Sequence, residues 1–160
     1  MKGKILKTLV LVGILTLVVG AGQAMAQGTL TVTATVSKHC QVDSTSLAFG
    51  AYSPFDATPV VAEADFDVRC TRHASDLPVV QLGNGANYSG GRRMTGGGEY
   101  LNYFLYSDSA RLLPWDTTNT VTIPSPSMAG STLTVYGRIP AGQDIIAADY
   151  SDSVIISVNF

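Results

Sequence analysis

The chain has few of the residues from which catalytic and metal sites are built. Its 160 residues include two cysteines, two histidines and one tryptophan, and 14% of them are charged. The cysteines lack the close pairing of zinc ligands, and no Gly-x-Ser-x-Gly elbow occurs in the sequence. The sequence therefore shows no set of catalytic residues for a serine or cysteine hydrolase. We expect His39 and His73 at the surface or at strand edges.

Nucleotide and metal sites have equally little support. The glycine pairs and triplets between positions 83 and 98 open no helical pattern and carry no Lys-Ser or Lys-Thr of a phosphate loop. Asp144, Asp149 and Asp152 lack the regular oxygen spacing of a calcium loop and are interpreted as solvated turn residues. Arg92 and Arg93 are a weak signal for contact with an acidic surface or a polysaccharide. We predict neither an enzyme nor a cofactor.

The first 26 residues have the pattern of a secretory signal peptide. Three lysines among the first seven residues precede an apolar run over residues 9–19, and Ala-Met-Ala follows at 24–26. The alternative, an uncleaved membrane anchor, would need about 20 apolar residues, more than this run offers. We therefore expect export, and a mature chain that begins at Gln27 and has no membrane span.

The predicted mature chain, residues 27–160, is one domain's worth of sequence. Without the three leading lysines it carries seven Lys and Arg against twelve Asp and Glu, a formal net charge of −5. This balance argues against nucleic acid or anionic lipid as a partner.

The two cysteines, Cys40 and Cys70, both belong to the predicted mature chain. An exported protein meets an oxidising compartment, so a single structural disulfide is the economical interpretation. In the loop-entropy model a link across this separation stabilises the folded state by about 3 to 4 kcal/mol.

Most of the mature chain alternates apolar and polar residues with the period of a β-strand. Ala64, Phe66, Val68 and Cys70 alternate with polar residues, which predicts one buried strand face that carries the second cysteine inward. Almost no stretch has helical spacing, so the composition and pattern indicate an all-β sandwich. Further strands are predicted over residues 79–82, 100–106, 121–123, 132–138 and 154–160, with a long loop or loosely paired hairpin between Gly83 and Gly98.

Two segments at the ends of the mature chain carry the strongest alternation. Threonines over residues 29–36 alternate with apolar residues, a pattern that usually indicates an ordinary half-buried strand of its own domain. The final predicted strand has no hairpin partner after it. The apolar positions are Leu30, Val32, Ala34 and Val36 in the first segment, and Val154, Ile156, Val158 and Phe160 in the last.

Several short motifs give the sequence a specific resemblance. They are Cys40-Gln41-Val42, residues 47–52 (LAFGAY), Val68-Arg69-Cys70-Thr71, residues 101–108 (LNYFLYSD), Trp115, residues 135–143 (VYGRIPAGQ) and Asp149-Tyr150-Ser151-Asp152. Together they resemble the spore coat protein U domain family across nearly all of the mature chain. That family is grouped with the subunits of archaic chaperone-usher pili.

The resemblance implies an incomplete immunoglobulin-like sandwich that is completed by donor-strand exchange. In this interpretation residues 1–26 are the signal peptide, 27–37 an N-terminal donor extension and 38–160 a pilin-like domain. The four apolar side chains of the first segment would fill a neighbour's groove, and the final strand would form the acceptor edge. The implied partners are neighbouring copies of this chain in a homopolymer, a periplasmic chaperone and an outer-membrane usher.

Two functions of different class follow from the resemblance, and a third remains open. The first is a structural subunit of a cell-surface fibre that supports adhesion and biofilm formation. The second is a structural protein of a secreted spore or cell coat that uses the same assembly. The third, a small lectin-like binding module, would be a stable monomer without any chaperone.

Overall fold

A computed structural model describes residues 25–72 and 76–160 of the chain. The signal-peptide prediction therefore falls mostly outside the described residues, as does His73. The chain divides into a leading unit, residues 1–34, and a body, residues 35–160. The described part of the leading unit, residues 25–34, forms neither strand nor helix.

The body is built from short strands, and helices are absent from the part of the chain that the structure describes. Within those residues nothing has the length and apolar character of a membrane-crossing helix. The predicted all-β class is confirmed. The strands are β1 (Cys40–Val42), β2 (Val60–Cys70), β3 (Val79–Leu82), β4 (Arg93–Gly96), β5 (Glu99–Asn102), β6 (Phe104–Tyr106), β7 (Val121–Thr122), β8 (Ser131–Ile139) and β9 (Ile156–Asn159).

The strands form two facing groups and one hairpin. A four-stranded sheet has the order β1-β2-β8-β6, a three-stranded sheet has the order β7-β3-β9, and β4 pairs with β5. All of these pairings are antiparallel. Strand β9 lies at the edge of its sheet because its only sheet neighbour among the described residues is β3.

The long pair of β2 and β8 shows how alternation fixes the register. Phe66 lies opposite Leu133 on the inner face, and the neighbouring outer positions pair Asp65 with Thr134 and Asp67 with Thr132. Each of these threonine hydroxyls donates a hydrogen bond of 2.6 Å to its opposite carboxylate. A slip of one residue would bury the aspartates, so the pattern admits a single register. The buried face predicted for β2 is confirmed.

The core lies between the two sheets and is centred on Trp115. This side chain is 1% exposed, stacks on Phe66 at 5.9 Å and donates its indole N–H to the Val80 carbonyl at 3.0 Å. Because Val80 is itself fully buried, the indole supplies the partner that its carbonyl needs. The remaining core residues are Val68, Cys70, Leu82, Leu101, Tyr103, Leu105, Ile123, Val135 and Ile139.

The disulfide between Cys40 and Cys70 is present and joins directly opposite residues of β1 and β2. It holds the beginning of the body against the long strand. The neighbouring backbone continues the attachment, since the Thr71 N–H donates to the His39 carbonyl at 2.9 Å.

One predicted strand is interrupted in the structure, and the own-domain strand that alternation alone would indicate at residues 29–36 is absent. Residues 29–36 form no strand, and the side chains of Leu30, Val32 and Val36 are 86%, 83% and 84% exposed. The predicted strand over 100–106 is interrupted at Tyr103, because the chain passes there from its pairing with β4 to its pairing with β8. The Tyr103 N–H donates to the Arg92 carbonyl at this break, and the side chain remains buried.

Candidate functional site

An open groove runs along the body between two segments that do not pair with each other. The first wall comprises residues 45–52, and the second wall comprises residues 149–156. Among the described residues, no backbone hydrogen bond joins the two walls. The two walls therefore face each other with backbone groups that do not pair across the groove, an edge that a further strand could complete.

The first wall rests on β8 through a glycine. A Cβ atom at Gly137 would lie 2.6 Å from the Phe49 ring and 2.9 Å from the Leu47 side chain. Any larger residue would therefore force the Phe49 and Leu47 side chains to shift. Two residues before the first wall, the Asp43 N–H donates a hydrogen bond to the Asp67 carbonyl at 3.0 Å.

The second wall is fastened to the hairpin and to β3. Thr95 and Ser151 exchange two backbone hydrogen bonds of 2.9 and 3.1 Å, and the Gly83 N–H donates to the Ile155 carbonyl at 2.8 Å. Gly96 has no room for a side chain, because a Cβ there would collide with the Asp149 carbonyl. These contacts hold the second wall apart from the first.

At one end of the groove, Gln143 connects the first wall to the hairpin. The Gln143 side-chain amide pairs with the backbone of Asn102 through hydrogen bonds of 2.8 and 3.0 Å, as a strand partner would. Its own N–H donates to the Tyr52 hydroxyl at 2.7 Å. The motif at 135–143 therefore connects the first wall, the hairpin and the approach to the second wall.

The groove contains two adjoining cavities of about 380 and 680 Å³. Four residues line both cavities: Leu47, Phe49, Met94 and Tyr150. The smaller cavity is also lined by Phe66, Leu82, Leu105 and Val135. All four are core residues whose side chains are at most 7% exposed. The groove therefore opens directly into the hydrophobic interior.

A half-buried carboxylate closes one side of the smaller cavity. Asp152 accepts hydrogen bonds from the Ala86 and Asn87 N–H groups at 3.0 and 3.2 Å and from the Tyr103 hydroxyl at 2.7 Å. Burial, and then this hydrogen bond, raise the pKa of Tyr103. Asp152 thus ties the second wall to the glycine-rich loop and acts as a structural acceptor.

The glycine-rich loop, predicted as a long loop or a loosely paired hairpin, is held from several sides. Arg92 donates to the carbonyls of Leu82, Gly83 and Trp115 at 2.7 to 2.9 Å. Burial lowers the pKa of Arg92. Arg93 donates to the Asn87 carbonyl and stacks on a neighbouring tyrosine ring. Both arginines therefore act within the fold.

The structure brings part of the predicted acceptor edge to the groove. Val154 and Ile156 line the smaller cavity, whereas Val158 lies opposite Val80 in β9 and packs on the core. Phe160 follows β9 and is 46% exposed. The motif over residues 47–52 marked most of the first wall as typical of the family, but sequence reasoning did not assign this segment to the groove.

Comparison with solved structures defines the class of the protein. The fold matches a chain of the CsuC-CsuE chaperone-tip adhesion subunit pre-assembly complex from archaic chaperone-usher Csu pili of Acinetobacter baumannii. The match has a TM-score of 0.56 and 20% identity, and it covers 79% of this chain and 40% of that chain. The protein therefore has the immunoglobulin-like sandwich fold of that chain, and it spans less than half the length of this solved relative.

The family model for the Spore Coat Protein U domain matches residues 26–157. The chain belongs to this family, as its motifs predict. It is also similar to Protein U of Myxococcus xanthus, with 30% identity over 159 residues that cover 88% of each chain.

Proposed function

We propose that this protein is an exported structural subunit that polymerises into a surface fibre by donor-strand complementation. Residues 27–37 of one copy would enter the groove of the next copy, whose body comprises residues 38–160. The observation that carries the proposal is a hydrophobic core left open along a groove whose two walls do not pair with each other.

The groove explains why a β-strand is the expected occupant. Its walls present unpaired backbone along an edge, and its floor presents core side chains. A strand supplies hydrogen-bonding groups on both edges and apolar side chains on one face, so it satisfies both requirements together. A compact small molecule would leave the backbone of the walls unpaired.

The leading segment of the chain has the chemistry of that occupant. Leu30, Val32 and Val36 are at least 83% exposed and recur at every second position with Ala34. Burial of each large side chain contributes about 1.5 to 3 kcal/mol. Three such side chains would contribute roughly 4 to 9 kcal/mol to each junction, before backbone pairing is considered.

Polymerisation follows from the position of donor and groove on one chain. A head-to-tail contact is heterologous, so repetition yields an open filament and not a closed dimer. An unfilled groove would expose core surface during export, which requires a chaperone that occupies it and an usher that exchanges one subunit for another. The matched Acinetobacter complex contains a chaperone and a pilus subunit, which supports this route.

Export begins with the signal peptide proposed for residues 1–26, and the disulfide suits the oxidising compartment beyond the inner membrane. The fibre would lie at the cell surface and support adhesion and biofilm formation. A second candidate, a spore or cell coat protein, is favoured by the family and by the similarity to Protein U. Immunogold microscopy separates them, since label on thin fibres of vegetative cells supports the first and label confined to a coat supports the second.

A charge within the donor tests the assembly. We expect Val32→Asp to abolish fibres and leave soluble subunit, because burial of an unpaired carboxylate costs several kcal/mol. Thr33→Asp is the matched control, since it places the same charge one residue away on the opposite strand face. Size-exclusion chromatography and negative-stain microscopy of the purified mature variants provide the measurement. Normal fibres from Val32→Asp, or equal loss in both variants, would refute the proposal.

A further inference from the structure

A third cavity, of about 500 Å³, lies outside the groove and has an unassigned chemistry. It shares only Tyr103 and Leu105 with the smaller groove cavity, and none of its lining residues with the larger one. Its volume falls within the ~300 to 1,000 Å³ typical of small-molecule sites. An occupant of this cavity would therefore not compete with a strand in the groove.

Two half-exposed aromatic rings line this cavity. Tyr88 is 48% exposed and Phe104 is 45% exposed. Phe104 is flanked by the Arg138 guanidinium, 5.8 Å from its centroid, and by the Tyr106 ring at 6.5 Å. Half-exposed rings provide apolar faces on which the C–H groups of a ligand can pack.

Polar groups of both hydrogen-bonding kinds lie beside the rings. The side chains of Asn84, Thr117 and Thr118 line the cavity and make no hydrogen bond within the part of the chain that the structure describes. An amide and two hydroxyls can each donate and accept. A purely apolar ligand would leave these groups without partners.

The charges around the cavity are balanced. Its lining includes one carboxylate, Asp116, and one guanidinium, Arg92. The N–H groups of Thr118 and Asn119 each donate to Asp116 at 2.7 Å, which fixes the carboxylate at the rim. Arg92 is largely committed to backbone carbonyls. The cavity therefore gives no net attraction to an anion or a cation.

The loop that carries Asn84 and Tyr88 is ordered before any ligand arrives. Asp152 accepts three hydrogen bonds from Ala86 and Asn87, and the Ala86 N–H also donates to the Ser153 carbonyl at 3.0 Å. A preorganised loop lowers the entropic cost of binding.

From these features we infer that the third cavity binds a neutral saccharide. One face of a pyranose ring is apolar and would pack on Tyr88 and Phe104, while its hydroxyl groups would reach Asn84, Thr117 and Thr118. The site does not depend on polymerisation, because it lies outside the groove. In a fibre it would recur on every subunit, so weak single sites would add to a strong multivalent attachment.

Saturation-transfer NMR on the purified mature chain tests this site. The probes are the methyl glycosides of D-glucose, D-galactose, D-mannose and N-acetyl-D-glucosamine, each at ~10 mM, because a monosaccharide site of this kind has a Kd of about 1 mM. We expect saturation transfer to at least one of them. The absence of transfer to all four, or transfer only to an added anionic probe such as methyl glucuronide, would overturn the inference.

Matched variants place the binding in the cavity. Tyr88→Ala is expected to reduce the transfer at least fivefold, and Asn84→Ala, which removes only polar groups, is expected to reduce it as well. Met128→Ala is the control, because Met128 is 71% exposed and lines none of the three cavities. Equal signals from the wild type and both cavity variants would contradict the site, whatever the state of assembly. Loss of fibres in Val32→Asp with unchanged saccharide binding would separate the two proposals.

Discussion

The stability of each junction in the proposed fibre depends on a few side chains, and Val32 offers the sharpest measure of one of them. It is 83% exposed in the free chain. In the groove it would contact the core side chains that line the cavities, such as Leu82 and Leu105. Val32→Ala removes the equivalent of two methylene groups, which amounts to about 1.6 kcal/mol of transfer free energy. The void left in a packed groove adds to this loss and brings it to between about 1.6 and 3 kcal/mol.

This loss corresponds to a factor of roughly 10 to 150 in the junction equilibrium, since 1.4 kcal/mol is tenfold. Most of the change is expected in the rate at which a donor leaves its groove. Fibres of the wild type and of Val32→Ala are diluted into guanidinium chloride, and the loss of light scattering gives the dissociation rate and its midpoint. Thr33→Ala is the control, because it shortens a side chain on the opposite strand face. Identical dissociation of Val32→Ala and Thr33→Ala would show that Val32 is not buried in the junction.

Two further predictions concern the body. The double substitution Cys40→Ser with Cys70→Ser is expected to lower the free energy of unfolding by about 3 to 4 kcal/mol, measured by guanidinium denaturation of the subunit. A reductant should lower the free energy of unfolding of the wild type by the same amount and leave that of the double variant unchanged. Equal denaturation midpoints in all of these measurements would contradict the prediction. The raised pKa of Tyr103 means that the unfolded chain loses its proton first, near the ordinary value of 10.0, so this contribution to stability is present below pH 10 and is lost as the pH rises further. Tyr103→Phe should flatten the fall in unfolding free energy between pH 9 and 11, and an unchanged pH profile would contradict the assigned burial and hydrogen bond.

Much of the body could be predicted from local alternation. The inner face of β2 follows from Phe66, Val68 and Cys70, and the opposite strand β8 follows from the same two-residue period. Each buried position lies next to an outward polar position, so the sequence allows one arrangement of these strands. The disulfide required no structure because only one pairing of two cysteines exists.

The groove could be predicted only in part. Val154 and Ile156 were found as an apolar face, but nothing in their spacing reveals which segment lies opposite. The opposite wall depends on Gly137, whose missing side chain lets Leu47 and Phe49 rest on β8. Such a close approach is a tertiary contact between distant segments, and the alternation of apolar and polar residues along the sequence does not predict it.

The glycine-rich loop shows a different limit of sequence reasoning. Its composition predicts a long loop or a loosely paired hairpin. In the structure, Asp152 and Arg92 hold it through hydrogen bonds to its backbone groups. Hydrogen bonds from a side chain to a distant backbone leave no pattern in the sequence, since any residue offers the same N–H and C=O groups. The third cavity depends on this fastening and was likewise not predicted.

Cryo-electron microscopy of the assembled fibre tests the central proposal most directly, since it traces each chain from its body into the segment that precedes Cys40. We predict that residues 29–36 of one copy form a strand between residues 45–52 and 149–156 of the next copy, with Val32 facing the core. A groove that is empty, or that is filled by the leading segment of the same copy, would contradict donor-strand assembly.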